Sequence, residues 1–371
     1  MSKIKAFIKS QPVLVIAFLA AVVTAFFVPP DAGYLEYCNT TVLIELFALM
    51  TAVAGLRGAG LFEKANQLLL HKAGNVRRLG LIFMLACFFS AMLVTNDVAL
   101  LAFVPLTILV WQTIGDEKSR IFTIVLETAA ANLGSMLTPI GNPQNLYLYE
   151  KYSLTALDFL RVMLPAGLLG LVCLLLLTLL LPKTPCAAPE QPAPPIGKFQ
   201  AAGFGILFVL CLLTVLRIVP VLALGIIAMI LTVICNWRIL GKVDYALLAT
   251  FVCFFVFVGN IARIDAVSSF FASVLQGREL LVGALLSQGI SNVPAAVMLA
   301  GFTQNGKALL LGVDIGGFGT LIASLASLIS FQIYRKAPDA NTARFMGVFS
   351  AVNFGLLILL LAAAYLIPTT A

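Results

Sequence analysis

The stretch ANLGSMLTPIGNPQNLYLY, Ala131 to Tyr149, closes an apolar run that begins at Arg120 and is long enough to cross a bilayer, yet it holds two prolines and three asparagines. Pro139 and Pro143 cannot donate backbone hydrogen bonds, and Gly141 favours non-helical angles. The spacing therefore predicts a helix that stops near Thr138 and resumes near Asn145. Such a break leaves N–H and C=O groups inside hydrocarbon, where lipid offers no partner. They are costly there unless the protein or a solute takes them up.

The rest of the chain supports a bilayer setting. Of 371 residues, 61% are hydrophobic and 11% charged, and the mean hydropathy of +1.06 lies far above that of soluble domains. Apolar runs recur along the whole length and alternating barrel segments are absent, so the expected class is an all-α polytopic membrane protein. The run after Lys3, Lys5 and Lys9 could mimic a signal peptide but is long and lacks a clear cleavage site; it reads as a retained helix. Seven scattered cysteines without a C-x-x-C pair read as packing residues, and the single His71 excludes a multi-histidine metal site. The net charge of +7 sits in loops, where membrane orientation explains it and nucleic acid need not be invoked.

About nine spans are expected: 12–28, 41–56, 120–149, 159–181, 199–216, 219–235, 245–261, 307–334 and 345–367. Two further segments, 79–112 and 280–303, are apolar but interrupted by Thr95-Asn96-Asp97 and by Ser291-Asn292-Val293-Pro294. Read as re-entrant hairpins, they place these polar tips in protein or water rather than lipid. With a cytoplasmic amino terminus and a periplasmic or extracellular carboxyl terminus, that reading puts 17 of the 23 Lys and Arg residues on the cytoplasmic side of a bacterial inner membrane. Arg57, at the cytoplasmic end of a span, is accounted for by orientation, and Glu45 reads as shallow.

The chain also repeats. TNDVALLAFVPL at Thr95 answers SNVPAAVMLAGF at Ser291. ANLGSMLTPIGNPQNL at Ala131 answers VDIGGFGTLIASLASL at Val313, pairing Asn132 with Asp314, Gly134 with Gly316, Thr138 with Thr320 and Leu146 with Leu328. Residues 1–181 and 199–371 thus read as two repeats of opposite sense, joined by a proline-rich cytoplasmic linker at 182–198. Inverted repeats with interrupted helices point to a secondary transporter whose site lies near mid-membrane.

At these four motifs the chain resembles the ion transporter superfamily, which includes citrate-type and dicarboxylate symporters, arsenite efflux permeases and one class of sodium/proton antiporters. Its overall likeness is to short bacterial citrate-transporter-like anion permeases. Thr95-Asn96 and Ser291-Asn292 look like that group's hairpin tips, and LTPIGNPQN and GTLIASLAS like its helix breaks. Asp97 and Val293 depart from the Thr of the dicarboxylate symporter tips, while TND and DIG come closer to the arsenite permease pattern.

The expected substrate site comprises Thr95, Asn96, Pro139, Gly141, Asn142, Pro143, Asn145, Ser291, Asn292, Gly317, Thr320 and Ser324. Asp97, Asn132, Thr138 and Asp314 are the candidates for cation or proton coupling, with Asn96, Asp97, Asn132 and Thr138 as candidate Na⁺ ligands. A carboxylate at the bilayer centre costs about 2.5–3.5 kcal/mol on insertion scales, so each aspartate implies a partner, water or a proton. Glu127 reads either as functional or as an interhelical hydrogen bond. No Lys or Arg falls in the four motifs, so an anion would rely on helix N-termini and Asn and Ser side chains.

The expected function is transport of a small anion, an organic acid first, coupled to Na⁺ or H⁺ and without a further cofactor. Metalloid efflux and Na⁺/H⁺ antiport are the alternatives on the same scaffold; an intramembrane enzyme or a passive channel fits the opposed hairpins less well. A homodimer is compatible with the chain.

Overall fold

The computed structural model describes residues 11–31, 33–61, 74–186, 195–337 and 339–366. Among them the structure is helical apart from one isolated bridge, Asn75 with Pro185. In chain order the helices are α1 Pro12–Phe27, α2 Gly33–Tyr37, α3 Thr40–Gly58, α4 Val76–Val94, α5 Asn96–Ile114, α6 Glu117–Ser135, α7 Pro143–Lys151, α8 Ala156–Thr178 and α9 Lys198–Val215. They continue with α10 Val221–Asn236, a 3₁₀ turn Trp237–Lys242, α11 Tyr245–Ala262, α12 Asp265–Leu275, α13 Glu279–Ile290, α14 Asn292–Leu299, α15 Gly306–Ile315, α16 Leu325–Tyr334 and α17 Thr342–Ala364.

Seven of the described helices are long and apolar enough to cross a bilayer, or eight if α12 and α13, bent by 111°, form one span. Large apolar side chains such as Phe26, Leu222, Ile226 and Ile358 face outward, as lipid-facing residues do. The chain is an all-α multi-pass membrane protein. Six of these are among the nine expected spans and the seventh is α4, an expected hairpin arm; α1 has only 16 residues, and the two interrupted helices are divided into shorter pieces.

Three further points concern the expected segments. The first arm of the 79–112 segment is α4, which begins three residues earlier, at Val76. The sequence reading had no element between Ile261 and Leu280, where α12 lies. Of the proline-rich linker, residues 187–194 fall outside the described residues.

Many helix starts are fixed by short polar side chains that accept a first-turn N–H: Asn39 from Val42, Asn75 from Arg78, Asp116 from Ser119 and Asp244 from Leu247. The centre is α6, buried without interruption from Thr123 to Ser135 and flanked by α4 and α5. Gly134 makes this packing feasible, since a Cβ there would stand 1.9 Å from the Phe88 carbonyl oxygen of α4. In the second half α15 packs on α13, and a Cβ on Gly316 would stand 2.8 Å from the backbone of Ala284. Outside this core α9 lies against α3, and α11 against α1.

Candidate functional site

Both expected helix breaks are present. α6 ends at Ser135 and α7 begins at Pro143; α15 ends at Ile315 and α16 begins at Leu325. Asn145 Nδ2 occupies carbonyls freed by the first break, donating to Ser135 O at 3.1 Å and Thr138 O at 3.3 Å. Gly141 is required here, because a Cβ would meet Ser135 O at 2.1 Å. In the second break Gln288 takes the corresponding part, with Nε2 donating to Gly316 O and Phe318 O, both at 2.9 Å. Gly319 takes φ +102° and closes that turn.

The two polar tips share one backbone conformation. Thr95 has φ 79° and ψ 152°, Ser291 φ 74° and ψ 153°. Residues with a side chain rarely occupy this region, at a cost of about 1–3 kcal/mol each. Each turn is tied to a break by the same bond: Thr138 Oγ1 donates to Met92 O at 2.6 Å, and Thr320 Oγ1 to Gln288 O at 2.9 Å. Met92 precedes Thr95 by three residues, as Gln288 precedes Ser291.

Asn132 and Asp314, paired in the sequence repeat, each reach the opposite break. Asn132 Oδ1 accepts from Asn96 Nδ2 and from Ser324 Oγ, both at 3.0 Å, while its amide donates to Ser327 Oγ at 3.3 Å. Asp314 Oδ1 accepts from Gln144 Nε2 at 3.0 Å, and its buried Oδ2 has no hydrogen-bond partner. Asp97 receives the Thr95 hydroxyl. Glu127, one of the ambiguous residues, accepts the Thr107 hydroxyl across α5 and α6, which is the interhelical bond.

A cavity of about 280 Å³ lies against these elements, lined by Thr95, Asn96, Asp97, Asn142, Pro143, Asn292, Val293 and Ser324, among others. These residues belong to the N-termini of α5, α7, α14 and α16. At all four the N-cap side chain, Thr95, Asn142, Ser291 or Ser324, makes no capping hydrogen bond. Four helix N-termini thus border one space, each with a partial positive charge, the arrangement that favours an anion; of their first-turn N–H groups, Asp97 N already donates to Asn96 Oδ1 and Asn292 N to Ala323 O, and Pro143 has none.

Other expected residues stand behind this wall. Asn132, Asp314, Thr138, Thr320, Asn145 and Gly141 hold the tips and breaks together, Ser291 forms the strained turn, and Gly317 approaches the Asn292 side chain, where a Cβ would be 3.0 Å from Nδ2. Pro139 lies in the break without bordering the cavity. The four candidate Na⁺ ligands do not all line it, since the Thr138 hydroxyl turns to Met92.

Three charged residues outside the expected site also line the cavity, Arg57, Lys242 and Asp244. Arg57 and Lys242 looked like orientation charges, and a span-ending base carries no sequence mark of facing a cavity. Glu45, near the start of α3, is 2% exposed and borders a second cavity with Glu150 and Arg217, which lie near the ends of their own helices.

A family model described as Citrate transporter matches residues 6–307. An uncharacterized transporter of Methanocaldococcus jannaschii is 33% identical over 325 residues, covering 87% of this chain and 88% of that protein. The inner membrane protein YbiR of Escherichia coli is 31% identical over 327 residues, covering 85% and 86%. A silicon efflux transporter of Oryza sativa subsp. japonica, LSI3, is 32% identical over 159 residues, covering 42% of this chain and 32% of that protein.

Proposed function

The chain belongs to the citrate transporter family, and on that premise we propose that it is a secondary active transporter moving a small organic anion with Na⁺ or H⁺ by alternating access. The observation that carries this reading is the meeting of four uncapped helix N-termini at one cavity. Together they offer an anion N–H groups and dipole charge without an enclosing lattice of salt bridges.

We read the two halves as inverted repeats, with α4–α5 and α13–α14 as re-entrant hairpins opening to opposite sides. The matched dihedrals at Thr95 and Ser291 and the matched bonds of Thr138 and Thr320 support this. For orientation we assign the amino terminus to the cytoplasm of a bacterial inner membrane. Loops assigned to one side do pair: Asp31 with Arg263 at 2.9 Å and Asp158 with Lys307 at 3.6 Å outside, Arg120 with Asp339 at 2.9 Å inside.

Asp97 lies in the cavity wall beside the N-termini and is the proposed coupling carboxylate: a cation or proton there removes repulsion toward an incoming anion. Asp314, with an unpartnered oxygen, is the proposed second coupling group.

Solute counterflow in proteoliposomes tests this reading. Labelled carboxylate should enter vesicles preloaded with the same unlabelled compound and saturate; flux that never saturates and shows no counterflow would indicate a channel instead. The likeness to a silicon efflux transporter favours one second reading, efflux of a neutral hydroxylated solute. Counterflow of silicic acid or arsenious acid, with no carboxylate active, would establish that alternative.

A further inference from the structure

The cavity wall contains two bases, Arg57 at the end of α3 and Lys242 at the end of the 3₁₀ turn, and two acids, Asp97 and Asp244. The acids already have partners. Asp97 takes the Thr95 hydroxyl, and Asp244 accepts the Leu247 N–H as the N-cap of α11. The bases are nearly unpartnered. Arg57 donates a single 3.3 Å bond to Leu101 O, and among the described residues neither base forms an ion pair. A guanidinium has five donors in a planar fork suited to a carboxylate, and among the described residues Arg57 uses one.

The remaining wall is mostly apolar, formed by Leu46, Leu49, Met50, Val53, Ile140 and Leu247. Its volume, about 280 Å³, falls just below the usual range for small-molecule pockets, roughly 300–1,000 Å³. Such a wall penalises a ligand with charge on every side, since each buried carboxylate needs its own partners.

We infer that Arg57 and Lys242 form an anion-binding subsite in this cavity, and that its ligand is a small monocarboxylate with an apolar body rather than a tricarboxylate. This rests on the anion-transport reading and narrows it. The charges agree: two bases and two acids line the cavity, so a monoanion entering with one Na⁺ or one H⁺ leaves the balance unchanged. A trianion would need three.

The test is equilibrium binding to the purified full-length protein in detergent, with butyrate and citrate as probes at constant ionic strength. Butyrate should bind and citrate bind more weakly. Arg57→Gln and Lys242→Gln should each weaken butyrate about tenfold or more, Arg57→Lys should restore part of the loss, and Arg217→Gln, in the separate cavity, should change nothing. A shift in thermal midpoint distinguishes loss of fold from loss of binding. The inference is overturned if citrate binds more tightly than butyrate, if neither probe binds, or if both Gln variants bind butyrate like the native protein. Butyrate counterflow then separates the two readings. Binding without counterflow keeps the subsite and removes the transport reading; counterflow undiminished in both Gln variants keeps transport and removes the subsite.

Discussion

Asn96 Nδ2 donates to Asn132 Oδ1 across 3.0 Å, joining the first residue of α5 to the buried last turns of α6. The same oxygen accepts Ser324 Oγ from the other half of the chain. One side chain therefore holds a polar tip and the opposite helix break in register.

Asn132→Leu keeps the approximate volume and removes every one of these bonds. The Asn96 amide and the Ser324 and Ser327 hydroxyls lose their partner, at about 1–3 kcal/mol for each buried group left unsatisfied. Thermal unfolding in detergent should show a large drop in midpoint. Asn132→Asp, which retains the accepting oxygen, should cost less. Native stability of the Leu variant would mean the network is not structural.

Two glycines should respond oppositely to alanine. At Gly134 a Cβ would sit 1.9 Å from the Phe88 carbonyl, backbone that cannot move without separating α4 from α6. Gly134→Ala should prevent accumulation of folded protein or lower its midpoint sharply. At Gly347, within α17, nothing lies within 4 Å, so Gly347→Ala should be neutral or stabilise by about 0.5–1 kcal/mol. The pair can be compared by size-exclusion profile and melting.

The Arg120 guanidinium, 1% exposed, meets Asp339 at 2.9 Å and stands over the Tyr334 ring. Its hydrogen bond holds the Asp339 carboxyl below the usual aspartate range. A carboxyl with a depressed folded pKa stabilises fully above its unfolded value, about pH 3.9, and loses that contribution as pH falls through the folded value. Asp339→Asn should therefore be less stable than the native protein at neutral pH, and the two should converge in strong acid. Melting curves that stay parallel down the whole pH series would exclude the pair as a stabilising contact.

The sequence exposed the breaks because their chemistry is local. Proline at 139 and 143, glycine at 316, 317 and 319, and polar triplets inside apolar runs disrupt a helix whatever surrounds them. Internal repetition then linked Thr138 to Thr320 and Asn132 to Asp314; the two threonines make the same bond, and Asn132 and Asp314 each accept from the opposite break. What escaped was whatever depends on neighbours distant in the chain. Arg57 lines the cavity because α5 and the Trp237–Lys242 turn pack beside the end of α3, and periodicity within α3 does not record that. Glu45 is buried by α7 and α9, which its place near the start of α3 does not record. The position of α12, sharply bent against α13, was equally invisible because its 11 residues are too short for a span.

In the proposed cycle Asp97 couples solute movement to a cation gradient. That role is tested most directly by uptake of a labelled monocarboxylate into proteoliposomes under an imposed Na⁺ or pH gradient, comparing the native protein with Asp97→Asn. The native protein should accumulate solute above its external concentration under at least one of the two gradients, and the variant should only equilibrate it or fail to move it. Accumulation by Asp97→Asn with unchanged dependence on the gradient would exclude Asp97 as the coupling group.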